Sequence, residues 1–154
     1  MQLTTDNTST LDTLEFNQKV ITINTALVLT NTTIKTPMFA GIIPANSIDK
    51  NGYFEIIALI EASGSGTKLF EVLFNDTAIT RRSVSTTALL NERWLIYIFN
   101  RGVTNTQIKS TMLTGELFTT LNIDTTKDIN VKINIQNSST AGISKIHIFN
   151  VTKN

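Results

Sequence analysis

Arg93-Trp94-Leu95-Ile96-Tyr97-Ile98-Phe99-Asn100 is the most apolar stretch of the chain, and its reading decides the fold. Its β-branched and aromatic side chains suit a pleated strand better than a helix. Both parities of the run are apolar, so both faces of the strand need cover. Arg101-Gly102 bends the chain after it, and Thr106 to Met112 reads as a further strand, with Ile108 and Met112 on one parity.

The same alternation recurs outward in both directions. Phe54, Ile56, Ala58 and Ile60 mark one face of a strand, and Glu55, Ile57, Leu59 and Glu61 the other. Phe70, Val72 and Phe74 alternate with Leu69, Glu71 and Leu73 in the next, which predicts a hairpin closed by the flexible Ser63-Gly64-Ser65-Gly66-Thr67. Arg81 to Asn91 reads as a polar connection with a weak strand or helical turn. Leu117 to Ile123 is a short strand. Val131, Ile133 and Ile135 point inward from another. In the last strand, Ile143 to Val151, Ile146 and Ile148 are expected on one face, and Lys145, His147 and Phe149 on the other. Earlier in the chain, Leu14 to Thr30 is expected to hold two strands, one over Phe16 to Ile23 and one at Ala26 to Leu29, and a further strand follows Pro37. About eight short strands with no long amphipathic helix predict an all-β, antiparallel jelly-roll-like β-sandwich.

Composition narrows the function classes. The chain has 154 residues, 41% hydrophobic and only 16% charged, with a formal net charge of +1. Soluble domains carry about 25% charged residues; here Thr and Asn take their place. The near-neutral balance and the lack of a basic, aromatic-interleaved stripe argue against nucleic-acid binding. No apolar run is long enough to predict membrane insertion. No secretory signal is visible at the start. There is no Cys, which removes disulfides, thiolate catalysis and sulfur-ligated zinc. Met1 to about Thr13 is polar and reads as a frayed tail, or as a docking arm that orders on a partner.

Catalytic chemistry finds little support. His147 is the one histidine, without the companions that a triad or a zinc site needs. Glu55 and Glu61 share a strand face about 20 Å apart, too far to act on one bond, while Glu71 is a third candidate across the expected hairpin. Asp124 and Asp128 flank a turn and suit Asx turns better than a Ca²⁺ site. Gly64 and Gly66 lead into a strand, not into the helix of a phosphate-binding loop. Arg81-Arg82 reads as a solvated loop pair. Five N-x-[ST] sequons, at Asn7, Asn31, Asn75, Asn137 and Asn150, are what this much Thr, Ser and Asn produces by chance. No catalytic residue, metal or cofactor is expected. Tyr53, Trp94 and Tyr97 are the candidates for stacking on a sugar ring, with core or subunit packing the stronger expectation for at least one of Trp94 and Tyr97.

Three segments together resemble a known family. Ile43-Pro44-Ala45-Asn46-Ser47-Ile48 followed by Asn51-Gly52 is similar to the opening of jelly-roll domains in tailed-bacteriophage virion proteins. Gly66 to Phe74 resembles the strand that follows there, and Asn100-Arg101-Gly102-Val103-Thr104-Asn105-Thr106-Gln107 their N-R-G-x-x-N-x-Q segment. Asp124-Thr125-Thr126 through Val131 to Ile135 fits their closing hairpin. The resemblance covers about Ile43 to Val151 and departs at Phe74-Asn75-Asp76, where members often carry a Gly-containing turn.

The resemblance implies a head-fibre, tail-fibre, spike or decoration component located in the virion and assembled as a homotrimer. Its partners would be other virion proteins and, at a receptor-binding tip, a host glycan. The family-motif residues are Pro44, Asn46, Gly52, Asn100, Arg101, Gly102, Asn105 and Gln107. For the core or an oligomer interface the candidates are Phe70, Phe74, Trp94, Ile96, Ile98 and Phe99. The expected division is an N-terminal segment over 1–40, serving attachment, and a jelly roll over 41–154.

Overall fold

The computed structural model describes residues 18–111 and 118–154. The expected docking arm at Met1 to Thr13, and Met112, lie outside the described residues. The described chain is all-β: β1 (Gln18–Ile23), β2 (Leu27–Leu29), β3 (Thr36–Ile43), β4 (Tyr53–Ser63), β5 (Thr67–Phe74), β6 (Thr77–Ser85), β7 (Leu90–Asn100), β8 (Gln107–Thr111), β9 (Thr119–Leu121), β10 (Ile129–Asn137) and β11 (Ile143–Lys153).

The strands form two antiparallel sheets. The large one runs β1-β11-β4-β7-β8-β9, with β2 also paired to β11; the small one runs β3-β10-β5-β6. Along the chain β3, β5–β6 and β10 fall in the small sheet and β4, β7 and β11 in the large one, so the chain repeatedly crosses the sandwich. That wrapping is the jelly roll, here with β8 and β9 added beyond β7. The stretch quoted first is β7, inside the large sheet between β4 and β8.

Period-two alternation sets what the sheets bury. Phe54, Ile56, Ala58 and Ile60 from β4 and Trp94, Ile96 and Ile98 from β7 point inward and are buried, as are Phe70, Val72 and Phe74 from β5 and Val131, Ile133 and Ile135 from β10. Two aromatic pairs join the sheets edge to face: Phe70 with Trp94 (6.0 Å, 89°) and Phe54 with Phe74 (6.2 Å, 83°).

Several expectations need correction. The eleven described strands exceed the expected eight, and β6 is the one without an expected counterpart: it takes up the start of the stretch read as a polar connection. β4 and β5 do not form a hairpin: β4 pairs with β11 and β7, and β5 with β10 and β6. The Gly-rich loop is instead a crossover between the sheets, with Gly64 and Gly66 at φ +70° and +82°. The true hairpin is β5–β6, so Arg81 and Arg82 lie on a strand. Its turn uses Asn75 and Asp76 at φ 47° and 63°, side chains that tolerate the left-handed region, so the turn forms without glycine.

The parity of β11 changes midway. Ile146 pairs with Ile60 and Ile148 with Leu59, leaving His147 as the extra residue of a β-bulge. Ile146 faces in, but beyond the bulge it is Phe149 and Val151 that are buried. The division after residue 40 falls inside β3, and β1 pairs with β11, so residues 18–40 are part of the same sandwich.

Candidate functional site

The motif segments converge at one end of the sandwich. Asn100, at the end of β7, donates from Nδ2 to Asp49 O (2.5 Å) and Thr125 Oγ1 (3.2 Å). Gln107, at the start of β8, donates from Nε2 to Asn100 Oδ1 (2.9 Å), Ile123 O (2.7 Å) and Thr104 O (3.2 Å), and its Oε1 accepts from Ile123 N–H (2.9 Å). Both side chains are buried. Asn46 sits at φ 57° and its N–H reaches Thr125 O at 2.9 Å, while Ser47 Oγ closes the Pro44 turn at 2.6 Å. Gly52 is packed so tightly that a Cβ would meet Asn154 O and Ile48 Cβ at 2.9 Å. Gly102 N–H bonds Lys50 O at 2.9 Å. Arg101 and Asn105 are exposed. Chain regions far apart in sequence are thus tied into one hydrogen-bonded knot whose donors and acceptors are engaged internally. It holds three loops together.

A second polar plug closes the other end. Lys68 is fully buried, and its ammonium donates to the carbonyls of Gly64, Gly66 (2.9 Å) and Thr86 (2.9 Å). Burial pushes this ammonium below the usual lysine range. Beside it in register, Asn137 donates to Gly142 O at 2.9 Å and accepts from Ser144 Oγ at 2.5 Å. Sequence reasoning passed over Lys68, although it shares the inward parity of Phe70, Val72 and Phe74. The Arg82–Glu92 pair was missed for want of the register. Arg82 on β6 holds Glu92 on β7 through Nε (3.2 Å) and Nη2 (2.7 Å), and Trp94 Nε1 adds a third donor at 3.3 Å. Arg82 foremost, and then Trp94, hold the Glu92 carboxyl below its usual range despite its partial burial.

The acidic candidates are not brought together. Glu71 points out of the small sheet, and Glu55 and Glu61 out of the large one. Glu71 is buried beneath Lys35 and Arg81 (2.6 Å to Oε1). Burial would raise its pKa, but those two cations outweigh it and hold the carboxyl low. Glu61 is held low first by Lys145 (2.7 Å) and then by His147 (3.0 Å), which occupies the histidine in an ion-pair cluster. Asp124 accepts from the Thr126 N–H and hydroxyl at 3.0 and 2.5 Å as a turn-forming group, whereas Asp128 accepts from Ala45 N–H at 2.8 Å and so ties two distant loops together instead of forming the expected Asx turn. Among the described residues no three His, Asp or Glu side chains gather as metal ligands, and no helix is long and apolar enough to cross a membrane.

What remains open is the outer face of the large sheet. Ile57, Leu59, Leu95 and Tyr97 are half-buried there, and Phe99 is 38% exposed. Among the described residues, the second face of β7 therefore lacks the cover its sequence demands. Tyr53, Tyr97 and Phe99 form an aromatic trio at ring separations of 5.1, 5.8 and 6.0 Å. Glu55, opposite Tyr97 in register, raises the phenol above its usual range. Trp94 belongs to the opposite face and is fully buried, so it cannot stack on a ligand. Phe70, Phe74, Ile96 and Ile98 are likewise core, which leaves Phe99 as the interface candidate on the surface. A shallow groove of about 420 Å³ borders the patch, lined by Leu59, Ile60, Asn91, Glu92, Arg93 and His147. The small sheet's outer face is more polar, with Lys132, Asn134 and Gln136 along β10, Arg81 and Ser83 on β6, and Leu69 and Leu73 between.

These features define the class: an all-β jelly-roll sandwich with polar plugs at both ends and one apolar outer face. No family model matches the sequence, and no curated protein matches it. Among solved structures it is similar to dimeric latent PorU from Porphyromonas gingivalis, with 9% identity, a TM-score of 0.42, and coverage of 84% of this chain and 12% of that one. It is also similar to a structure of the infectious bursal disease virus Gt strain, with 11% identity, a TM-score of 0.37, and coverage of 99% and 45%. A third is the infectious bursal disease virus VP2 subviral particle, with 12% identity, a TM-score of 0.34, and coverage of 99% and 43%. The chain thus spans less than half the length of each of these chains.

Proposed function

We propose that the protein is a non-enzymatic structural module of a bacteriophage virion, a fibre, spike or decoration domain that assembles as a homotrimer. The observation that carries this reading is the large sheet, apolar on both faces while the sandwich covers only one of them. Obligate assemblies use such surfaces, which resemble a domain core cut in half. Support for the virion comes from the motif segments. Pro44, Asn46, Gly52, Asn100, Gly102 and Gln107, which carry the resemblance, take part in one structural knot, so they act as fold determinants rather than as an active site.

The test has two parts. Light scattering of the purified protein at micromolar concentration is expected to give three times the monomer mass. Electron microscopy with an antibody against the chain is expected to label particles at an appendage in defined copy number. A stable monomer with unlabelled particles overturns the reading. A second reading, a tip module that binds host-surface glycan, is favoured by the aromatic trio alone. Glycan-array binding that is lost in Tyr53→Ala and Tyr97→Ala would establish it, and an array without hits would remove it.

A further inference from the structure

We infer that the outer face of the large sheet, centred on Tyr97 and Phe99, is the surface through which copies of this chain meet, and that the small sheet's outer face stays in solvent. This rests on the assembly reading above and assigns it a surface. Ile57, Leu59, Leu95, Tyr97, Phe99 and Tyr53 form a continuous stripe along the neighbouring strands β4 and β7, where Tyr53 pairs with Phe99 and Ile57 with Leu95. A stripe of this kind in water favours burial in proportion to its apolar area.

Area and charge both point to a second copy as the occupant. The strands β11, β4 and β7, 11 residues each, and the shorter β8, about 4.8 Å apart, present roughly 600 Å², at the lower end of the about 600–1,000 Å² per partner of a specific interface. The stripe is bordered by charges of both signs on the same face. Arg93 makes no ion pair among the described residues, and Glu55 is engaged by the neutral Tyr97 phenol. A face that carries both partners of a possible ion pair complements a rotated copy of itself, about a twofold axis or around a threefold one. A strongly acidic or basic partner would need one sign in excess, and this border does not have it.

The test uses the absence of native cysteine. Light scattering compares the wild type with Phe99→Asp and, on the small sheet's outer face, Ser83→Asp. In parallel, Ser110→Cys, facing out beside Tyr97 in register, and Ser83→Cys are titrated with a thiol reagent. The expected result is that Phe99→Asp lowers the mass to that of a monomer while Ser83→Asp leaves it unchanged. The thiol at 110 should react at least tenfold more slowly than that at 83, and should become fast in the Phe99→Asp background. If the wild type is oligomeric, Phe99→Asp stays oligomeric and the thiol at 110 reacts fast, the assigned face is wrong and the assembly reading survives. If the wild type is a monomer at tens of micromolar, the assembly reading falls, and this inference with it. The conservative cysteine pair keeps the assignment testable should Phe99→Asp fail to fold.

Discussion

Gln107 Nε2 donates to Asn100 Oδ1 at 2.9 Å inside the sandwich, where both side chains are buried. This bond is the centre of the knot that ties the loops before β4, after β7 and before β10. Gln107→Ala removes the buried partner of both the Ile123 N–H and its carbonyl. The expected loss is about 2–3 kcal/mol, a Tm lower by roughly 6–10 °C for a chain of this size. Scanning calorimetry checks it, and a shift below about 2 °C contradicts the role given to the knot.

Glycine is required for different reasons at Gly64 and Gly102. Both have positive φ, +70° and +73°, but a Cβ at Gly64 would overlap the Ala141 carbonyl oxygen, while none of the surrounding atoms lies within 4 Å of one at Gly102. Gly102→Ala therefore meets only the left-handed strain of about 1 kcal/mol, whereas Gly64→Ala adds a backbone collision and should cost about 2–4 kcal/mol. Urea melts of the two variants give the comparison; equal costs would mean that the crossover yields freely.

Acid should weaken the fold in a definite window. Glu71 and Glu92 have folded pKa values held below their unfolded ones. Such groups add stability that is fully present above the unfolded value, about 4.3 for glutamate, and is lost as pH falls through the folded value. Tm should be level from about pH 7 to 5 and fall below about pH 4. Glu71→Gln should lower Tm at pH 7 and flatten the acid limb, since part of the titration is gone. An unchanged acid limb would assign the fall to other carboxyls.

The single tryptophan provides a built-in probe. Trp94 is fully buried against Phe70, and its Nε1–H reaches Glu92 at 3.3 Å. Native fluorescence should be blue-shifted and move to the red on unfolding. Glu92→Gln weakens the pair with Arg82 and should cost about 1 kcal/mol in the fluorescence melt without shifting native emission. A red-shifted native spectrum would show that this ion pair, rather than core packing, excludes water from the ring.

The central strands were readable because period two survives wherever a strand buries one face. Phe54 to Ile60 and Val131 to Ile135 keep that alternation and lie in the core as expected. That β4 and β5 lie in different sheets was not readable. A Gly-rich loop announces a change of direction, and the chemistry of Gly64 and Gly66 is the same whether the chain returns along its own sheet or crosses to the other. Phe149 was assigned outward because a bulge shifts parity by one without any compositional mark. The interface candidates were legible only as a set: β7 is apolar on both faces, but which residues go in depends on the partner sheet, so Trp94 became core and Phe99 surface. Asn100 and Gln107 were visible as motif residues, while their part in the knot required the folded distances.

The bulge at His147 has an evolutionary consequence. Upstream of it β11 offers Ile146 to the interior; downstream it offers Phe149 and Val151. Deleting His147 would restore an unbroken pleat with Ile146, Phe149 and Val151 still facing inward, whereas deleting a residue elsewhere in β11 would turn one half of the strand over. Chain length along β11 is therefore coupled to sidedness everywhere but at the bulge, and the strand should accept exchanges of side chain, or loss of the bulged residue, far more readily than any other insertion or deletion.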